Sequence, residues 1–273
     1  MIQKSTLTYA EHPTRKGPRA LQADLFVPGS GAPNGLIVWM HSGGFRSGSR
    51  EHPAHARIAA EFATHGYGMA FLDYRLARPP AILQPGVAAR VDDLVAEALA
   101  AGETMHETFI GPRPLAVVED ACAFLALAAA RAAEWGLSAR FLLGGSLAGA
   151  ISALNTLYLP AHLGLLRPPV ATVFAFSGGF AYTPRLQPTG ARILALHNPG
   201  DARVPVASIR RLAQHCPDPC LLIESDRQDH GNLTLAPDEP LPAAVARCVA
   251  FDLADDPLSI RVDQAATASS ESA

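Results

Sequence analysis

The sequence predicts an α/β protein with a mainly parallel central sheet of about eight strands and helices on both faces. Short, wholly apolar runs such as residues 35–40 alternate with longer amphipathic segments along most of the 273 residues. Such runs are typical of strands buried on both faces, and their alternation with helices favours parallel pairing. The composition agrees, because 49% hydrophobic and 17% charged residues are enough for a large core.

Seven strands can be placed directly. Residues 21–27 alternate apolar and polar side chains before a Pro-Gly pair, which is the pattern of a half-exposed antiparallel strand. The other six are apolar runs at residues 35–40, 67–72, 141–143, 170–176, 192–196 and 221–224. Helices are predicted between them at residues 52–65, 87–101, 114–135, 146–158, 206–215 and 243–253.

These elements predict one domain over residues 1–262, and the small polar residues at 263–273 predict a disordered tail. Residues 77–113 interrupt the alternation with several Pro and Gly pairs around the helix at 87–101. Long excursions of this kind are often functional, so we expect a lid-like insertion over the site. The alternative is a harmless insertion that packs on a remote face.

Several classes of protein are excluded. The net charge is −3 and the basic residues are scattered, which argues against a nucleic-acid partner. The polar first 17 residues lack a signal sequence, and glycines and Pro160 interrupt the uncharged stretch at 141–166, so we expect a cytoplasmic protein without a membrane segment. Four cysteines do not form a disulfide framework, and Cys216-Pro-Asp-Pro-Cys220 lacks the second ligand pair of a metal site.

A candidate nucleophile lies in Gly144-Gly-Ser-Leu-Ala-Gly149, where a strand gives way to a helix. A strand-to-helix elbow raises a serine above the sheet and needs small neighbours on both sides. The pattern G-x-S-x-G then assigns Ser146 as the nucleophile, with Ala148 in place of the second glycine. The alternative is a glycine-rich turn that only permits close packing.

A candidate oxyanion hole follows the strand at 35–40, in His41-Ser-Gly-Gly-Phe45. Acyl-transfer chemistry needs backbone N–H groups that point at a developing oxyanion. We expect Gly43 and Gly44 to supply two of them and Leu147, the residue after the serine, to supply the third. A plain glycine turn is the alternative.

These blocks, together with Leu72-Asp-Tyr-Arg-Leu76, resemble those of α/β-hydrolase carboxylesterases, in particular the bacterial hormone-sensitive-lipase-like and acetyl-esterase-like enzymes. The resemblance covers roughly residues 20–254. It departs from the family at Ser42, at the pair after Leu76 and at Ala148. The resemblance implies an α/β-hydrolase fold and structural roles for Asp73 and Arg75 in the loop beneath the site.

The acid and the base follow from chain order, which is Ser, acid, His in this fold. Asp201 lies in the loop after the strand at 192–196 and matches the family's acid block. His230 is the last histidine of the chain and follows the strand at 221–224. Asp226 and Asp229 are rival acids, although Asp229 adjoins the histidine in sequence and has poor reach to its ring.

The sequence therefore predicts a serine hydrolase that cleaves small or medium carboxylic esters through an acyl-enzyme, with no metal or organic cofactor. Phe45, Phe180 and Tyr182 are candidate substrate-binding residues, although core packing explains aromatic side chains equally well. An arylformamidase-like amide hydrolase and a catalytically silent, ligand-binding hydrolase fold stay open as alternatives. The expected partner is a small-molecule ester, and a homodimer is also left open.

Overall fold

The computed structural model describes residues 1–14, 17–76 and 83–259, and these form one eight-stranded sheet. Its strands are β1 (Ile2–Thr14), β2 (Gly17–Pro28), β3 (Gly35–Met40), β4 (Tyr67–Leu72), β5 (Phe141–Ser146), β6 (Val170–Phe176), β7 (Arg192–His197) and β8 (Cys220–Glu224). They lie side by side in the order β1-β2-β4-β3-β5-β6-β7-β8. Pairing is parallel from β4 through β8, so the predicted mainly parallel sheet is confirmed.

The N-terminal edge of the sheet is a long antiparallel hairpin that the sequence did not predict. β1 pairs with β2 along nearly its whole length, and β2 pairs antiparallel with β4. β1 is mostly exposed and carries many polar residues, so it lacks the apolar run by which the other strands are identified. Its ladder partners therefore determine its structure, rather than its own hydrophobicity.

Helices cover both faces, as predicted. They are α1 (His55–Thr64), α2 (Pro85–Ala88), α3 (Val91–Ala100), α4 (Pro112–Arg131), α5 (Ala148–Tyr158), α6 (Pro160–Leu163), α7 (Val206–His215) and α8 (Leu241–Leu253), with short 3-10 turns at Glu107–Phe109, Thr183–Arg185 and Pro257–Ser259. One apolar core joins α4, α5 and α7 to the sheet, and a second joins α1 and α8 to the opposite face. Alternate residues of β3 enter the two cores in turn, as the two-residue period of a strand requires.

Most predicted elements agree with the structure to within a few residues, and three differ in a way that matters. The predicted helix at 87–101 is two helices, α2 and α3, with a break at Ala89 and Arg90. The strand predicted at 141–143 continues to Ser146. The helix predicted from residue 146 begins at Ala148, so the strand and the helix meet at a different residue from the one that the sequence indicated.

The insertion is described from residue 83 onward; residues 77–82 and the predicted tail at 263–273 lie outside the described residues. Its buried side chains, Val87, Leu94 and Ala98, join the core that contains α4 and α5. Glu103 forms an ion pair with Arg211 on α7 at 2.8 Å and accepts a hydrogen bond from a buried serine hydroxyl. The segment is therefore anchored to the main domain by both apolar and charged contacts.

Within the described ranges, no helix is long and apolar enough to cross a membrane.

Candidate active site

The loops that carry the predicted site residues all leave the same edge of the sheet. β3 ends at Met40, β5 at Ser146, β7 at His197 and β8 at Glu224, and the parallel strands align these carboxyl ends. Ligands of open α/β sheets bind outside this edge. The topology therefore brings together loops that are far apart in sequence.

Asp201 and His230 are in direct contact at this edge. The Nδ1 atom of His230 donates a hydrogen bond to Oδ2 of Asp201 over 2.6 Å. The carboxylate is 1% exposed and the imidazole is 25% exposed, so the pair has a buried acid and an accessible base. Because the Nδ1 atom carries the proton, the Nε2 atom of His230 is left as the proton acceptor.

The acid loop holds Asp201 in place through its own backbone. The Oδ1 atom of Asp201 accepts the N–H groups of Arg203 and Val204 at 2.8 and 3.1 Å. The imidazole of the fully buried His197 donates from Nε2 to the Val204 carbonyl over 2.9 Å. Burial lowers the pKa of His197, which keeps this ring neutral. One carboxylate oxygen therefore organises the loop and the other faces the base.

The base loop is tied to the acid loop and to β6. The Asn198 side-chain amide donates to the Gln228 carbonyl over 2.8 Å. The N–H of Gly231, next to the base, donates to the buried Ser177 hydroxyl over 2.9 Å. Two anchors on either side of His230 thus fix its position.

The rival acids do not contact the histidine ring. The Asp229 carboxylate accepts the Asn232 side-chain amide over 3.4 Å, and the Asp226 carbonyl accepts from Asn198 at 3.2 Å. Among the described residues, Asp201 is the acid that is hydrogen-bonded to His230.

The glycine loop after β3 folds back on itself. Gly43 and Gly44 have φ angles of 113° and 61°, which favour glycine. The Gly43 carbonyl accepts the N–H groups of Arg46 and Ser47 at 3.1 and 3.2 Å. Within the described part of the chain, the Gly44 N–H donates to no protein acceptor, so it is available to a ligand.

Buried side chains brace this loop from below. The His41 ring stacks on the Tyr74 ring with centroids 3.9 Å apart, and burial lowers the pKa of His41. Asp73 accepts the Arg50 backbone N–H over 2.9 Å and its guanidinium over 2.5 Å. Arg75 lies deeper, where it is paired with two buried carboxylates of α4. The structural roles expected of Asp73 and Arg75 therefore correspond to contacts that hold the loop.

The residue at the apex of the strand-to-helix turn is Leu147. Its backbone angles are φ 56° and ψ −117°, a strained conformation for a residue with a side chain. Ser146 is still in β5, in register with Phe176 of β6. An elbow presents its nucleophile at the strained turn residue, so the structure corrects the assignment of Ser146 to that position.

The flanking glycines define the same register. A Cβ atom on Gly145 would lie 2.4 Å from the Gly149 carbonyl carbon, and one on Gly149 would lie 1.9 Å from the Met40 carbonyl oxygen. The two positions that sterics restrict to glycine are thus two residues before and two residues after Leu147. The sequence contains this signal, because Gly145-Ser-Leu-Ala-Gly149 has both glycines in place; the presence of a serine favoured the other register.

The shift also moves the predicted oxyanion donor. The Leu147 N–H donates to the Phe176 carbonyl over 2.9 Å, so it is not available to a ligand. Ala148 is the first residue of α5, and in the described structure its N–H has no protein acceptor. The oxyanion donor predicted at Leu147 is therefore wrong in this structure, and the N–H group that is free at this end of the turn is that of Ala148.

Ser146, Leu147 and His230 line one cavity of about 580 Å³. Its other walls come from the glycine loop, the start of α1 and the loop after the base, and include residues that the sequence did not indicate: Trp39, Ser49, Glu51, His52, His55, Ile58, Asn232 and Leu233. No sequence signal marks these residues, because α1 reaches the site only through the fold.

The three aromatic residues predicted to bind substrate are in the core instead. Phe45, Phe180 and Tyr182 are each 0% exposed. Phe45 packs on Tyr74 and Phe109, and the Tyr182 hydroxyl accepts the backbone N–H of residue 111 at 3.1 Å. Core packing, the alternative given for these aromatics, is what the structure contains.

For the residues that the structure covers, no group of three His, Cys, Asp or Glu side chains is placed to hold a metal ion.

Comparison with solved structures identifies the fold. The chain is similar to a thermophilic esterase of Thermogutta terrifontis with propionate bound, at TM-score 0.66 and 17% identity over 95% of this chain and 97% of that one. It is similar to an esterase of Pyrobaculum calidifontis, at TM-score 0.59 and 17% identity over 92% and 84%. A dienelactone hydrolase of Anabaena variabilis matches at TM-score 0.59 and 15% identity over 90% and 94%.

These likenesses confirm the α/β-hydrolase fold. No family model and no curated protein matches the chain.

Proposed function

We propose that this protein hydrolyses small or medium carboxylic esters, with His230 as the general base. The observation that carries the proposal is the 2.6 Å contact between the buried Asp201 and His230, which lines the 580 Å³ cavity. A histidine whose Nδ1 proton is held by a carboxylate is oriented to accept a proton at Nε2. General-base catalysis of this kind contributes typically 10²- to 10⁴-fold to a rate.

Free backbone donors that follow the cavity-lining residues Ser42 and Leu147 in the chain support acyl chemistry rather than another use of the base. The N–H groups of Gly44 and Ala148 donate to no acceptor in the described structure, and Ala148 begins α5. A helix N-terminus favours negative charge, and free N–H groups stabilise a developing oxyanion. We assign these two groups, with Gly43, to the carbonyl oxygen of the substrate.

The structural relatives support the class of substrate. The Thermogutta terrifontis enzyme is described as an esterase with propionate bound, and in another structure it is phosphoramylated by tabun. Propionate is a small acyl group, which agrees with the moderate size of the cavity here. The proposed partner of this chain is accordingly a small-molecule ester, without nucleic acid.

A second candidate function is ligand binding without catalysis. The observation that favours it is Leu147, a hydrocarbon side chain at the turn where esterases of this fold present a nucleophile. The retained acid–base pair favours hydrolysis over this alternative, because binding alone does not need a buried carboxylate that orients a histidine.

The two functions are separated by a panel of chromogenic esters of graded acyl length. Hydrolysis predicts turnover that His230→Gln lowers by a factor of about 10² or more. His52→Gln is the matched control, since His52 also lines the cavity but is not paired with a carboxylate. No turnover with retained ester binding would favour the silent protein, and turnover that His230→Gln leaves unchanged would remove His230 from the role of general base.

We further propose a cytoplasmic location. Cys216 and Cys220 are four positions apart in the sequence, and both carry free thiols. Closely spaced thiols stay reduced in the cytosol, whereas oxidising compartments favour disulfides. Alkylation of the two thiols in freshly lysed cells, read by mass spectrometry, tests this; recovery of a disulfide would contradict it.

The insertion remains a proposed lid, with one structural constraint. Its Phe109 packs against Phe45 at a ring distance of 6.2 Å, behind the glycine loop. None of the described residues 83–113 lines the cavity that contains His230. Replacing residues 81–111 with a short Gly-Ser loop should change the acyl-length preference if the segment covers the site, and leave it unchanged if the segment packs remotely.

A further inference from the structure

The nucleophile position of this site holds a hydrocarbon. Leu147 occupies the strained turn between β5 and α5, and its side chain has no oxygen or sulfur. The isobutyl group lies over the base loop, because a Cβ atom built on Gly231 would be 3.0 Å from its Cγ atom. The side chain at the apex is therefore next to His230 but cannot attack a carbonyl carbon.

Ser146 points to a different side of the strand. Side chains alternate along β5, so Ser146 shares a face with Gly144 and not with Gly145. A Cβ atom on Gly144 would lie 2.6 Å from Trp39, whereas one on Gly145 would meet Gly149 of α5. Ser146 consequently faces the Trp39 wall of the cavity. In the described structure its hydroxyl is not hydrogen-bonded to His230.

The base and the oxyanion donors are nevertheless complete. Asp201 orients His230, and the N–H groups of Gly44 and Ala148 have no protein acceptor among the described residues. Nine of the sixteen residues that line the cavity are polar and the His230 side chain is 25% exposed, so water reaches the base. A site with a base, an oxyanion hole and water, but without a side-chain nucleophile at the turn, can still hydrolyse an ester by direct addition of water to the acyl carbon.

We propose that the attacking oxygen is that of water and that no acyl-enzyme forms, an inference that rests on the proposed ester hydrolysis. The Nε2 atom of His230 takes one proton from the water molecule as its oxygen bonds to the acyl carbon. The carbonyl oxygen becomes an oxyanion held by the Gly44 and Ala148 N–H groups. The carbon–oxygen bond to the alcohol then breaks, His230 returns the proton to the alcohol, and the carboxylic acid leaves.

The test compares four proteins: the wild-type chain, Leu147→Ser, Leu147→Ala and Ser146→Ala. Each is mixed with p-nitrophenyl acetate, the first turnover is followed by stopped flow, and the quenched protein is analysed by intact-mass and peptide mass spectrometry. Each is also treated with a fluorophosphonate probe, which labels activated serines. Circular dichroism checks that every variant is folded.

We expect steady release of nitrophenol by the wild-type chain, with no burst, no acetyl adduct and no probe labelling. Ser146→Ala should stay within about threefold of wild-type turnover, because general-base hydrolysis does not pass through that hydroxyl. Leu147→Ser should gain a burst, an acetyl adduct and probe labelling at position 147, and at least about tenfold in turnover. Leu147→Ala, which removes the isobutyl group without adding a hydroxyl, should gain none of these.

Two other outcomes have different meanings. A burst in the wild-type chain with the adduct on Ser146, or loss of turnover in Ser146→Ala, would overturn direct attack by water and leave ester hydrolysis intact. Absence of any wild-type turnover would refute the proposed function and this inference together. In that case probe labelling of Leu147→Ser would still report whether position 147 is the apex of a working elbow.

Discussion

The candidate active site has two parts that differ in one respect. The base side, formed by the loops that carry Asp201 and His230, has the predicted polar side chains, whereas the turn side, formed by the turn between β5 and α5, has only the predicted backbone geometry. On the base side, loops 198–205 and 225–231 have both the backbone contacts and the two polar side chains predicted for the site, with Asp201 and His230 in contact at 2.6 Å. On the turn side, the backbone keeps the strained apex and the glycines that allow it, while the side chain at the apex is that of Leu147. Backbone geometry and side-chain chemistry are therefore separable: steric contacts of Gly145 and Gly149 hold the elbow whatever residue is at its apex.

The largest expected effect tests the base side. Asp201→Asn should lower ester turnover by about 10³, since the amide favours the wrong tautomer of His230 and no longer stabilises its protonated form. Asp226→Asn and Asp229→Asn are matched controls on the loop beside the base, and neither carboxylate contacts the ring. Steady-state kinetics of the three variants provide the measurement. If Asp229→Asn lost more activity than Asp201→Asn, the acid would have to be reassigned.

The next effect tests the turn side. Gly149→Ala should lower the free energy of unfolding by about 3 kcal/mol, because its Cβ would lie 1.9 Å from the Met40 carbonyl oxygen and the contact is between two backbones. Gly86→Ala is the control, since a Cβ there meets no atom within 4 Å and its φ is not positive. Urea denaturation measures both. Equal stability of the two variants would show that the elbow does not depend on the close approach of α5 to β3.

The smallest effect concerns His55, a buried histidine that lines the same cavity as His230. His55 is buried and stacked on Phe71, and desolvation lowers its pKa to about 4. The unfolded chain, with an ordinary pKa near 6.5, binds a proton that the folded chain does not, so stability is lost as the pH falls. We expect His55 to account for a loss of about 2 kcal/mol between pH 7 and pH 5. Denaturation at both pH values measures this loss.

His55→Gln should make that pH dependence shallower, whereas the exposed His215→Gln should leave it unchanged. An unchanged slope in His55→Gln would mean that other groups cause the acid sensitivity. A shallower slope in His55→Gln would show that the folded chain holds His55 in its neutral form near pH 7.

The sequence by itself was sufficient to predict the layered fold and to place Asp201 and His230 at the same edge of the sheet. Wholly apolar runs such as Gly35–Met40 and Tyr67–Leu72 identify buried strands because only apolar side chains can lose their water on both faces of a sheet without a cost in free energy. The predicted bounds of both strands agree with the structure. Chain order placed Asp201 and His230 after consecutive parallel strands, whose carboxyl ends must lie at one edge. These inferences need only local hydrophobicity and topology.

Only the tertiary structure decided which residue is at the apex of the turn. Whether β5 ends at residue 143, as predicted, or at Ser146 depends on its ladder with β6. Whether Leu147 adopts a positive φ depends on how closely Gly149 approaches Met40. Tertiary contacts also decide two other features. β1 is a strand because β2 pairs with it. Phe45 is in the core, where Phe109 of the insertion packs against it. Contacts between residues distant in sequence set each of these features, and a shift of one residue in the register of the turn is enough to replace a serine by a leucine at the apex of the elbow.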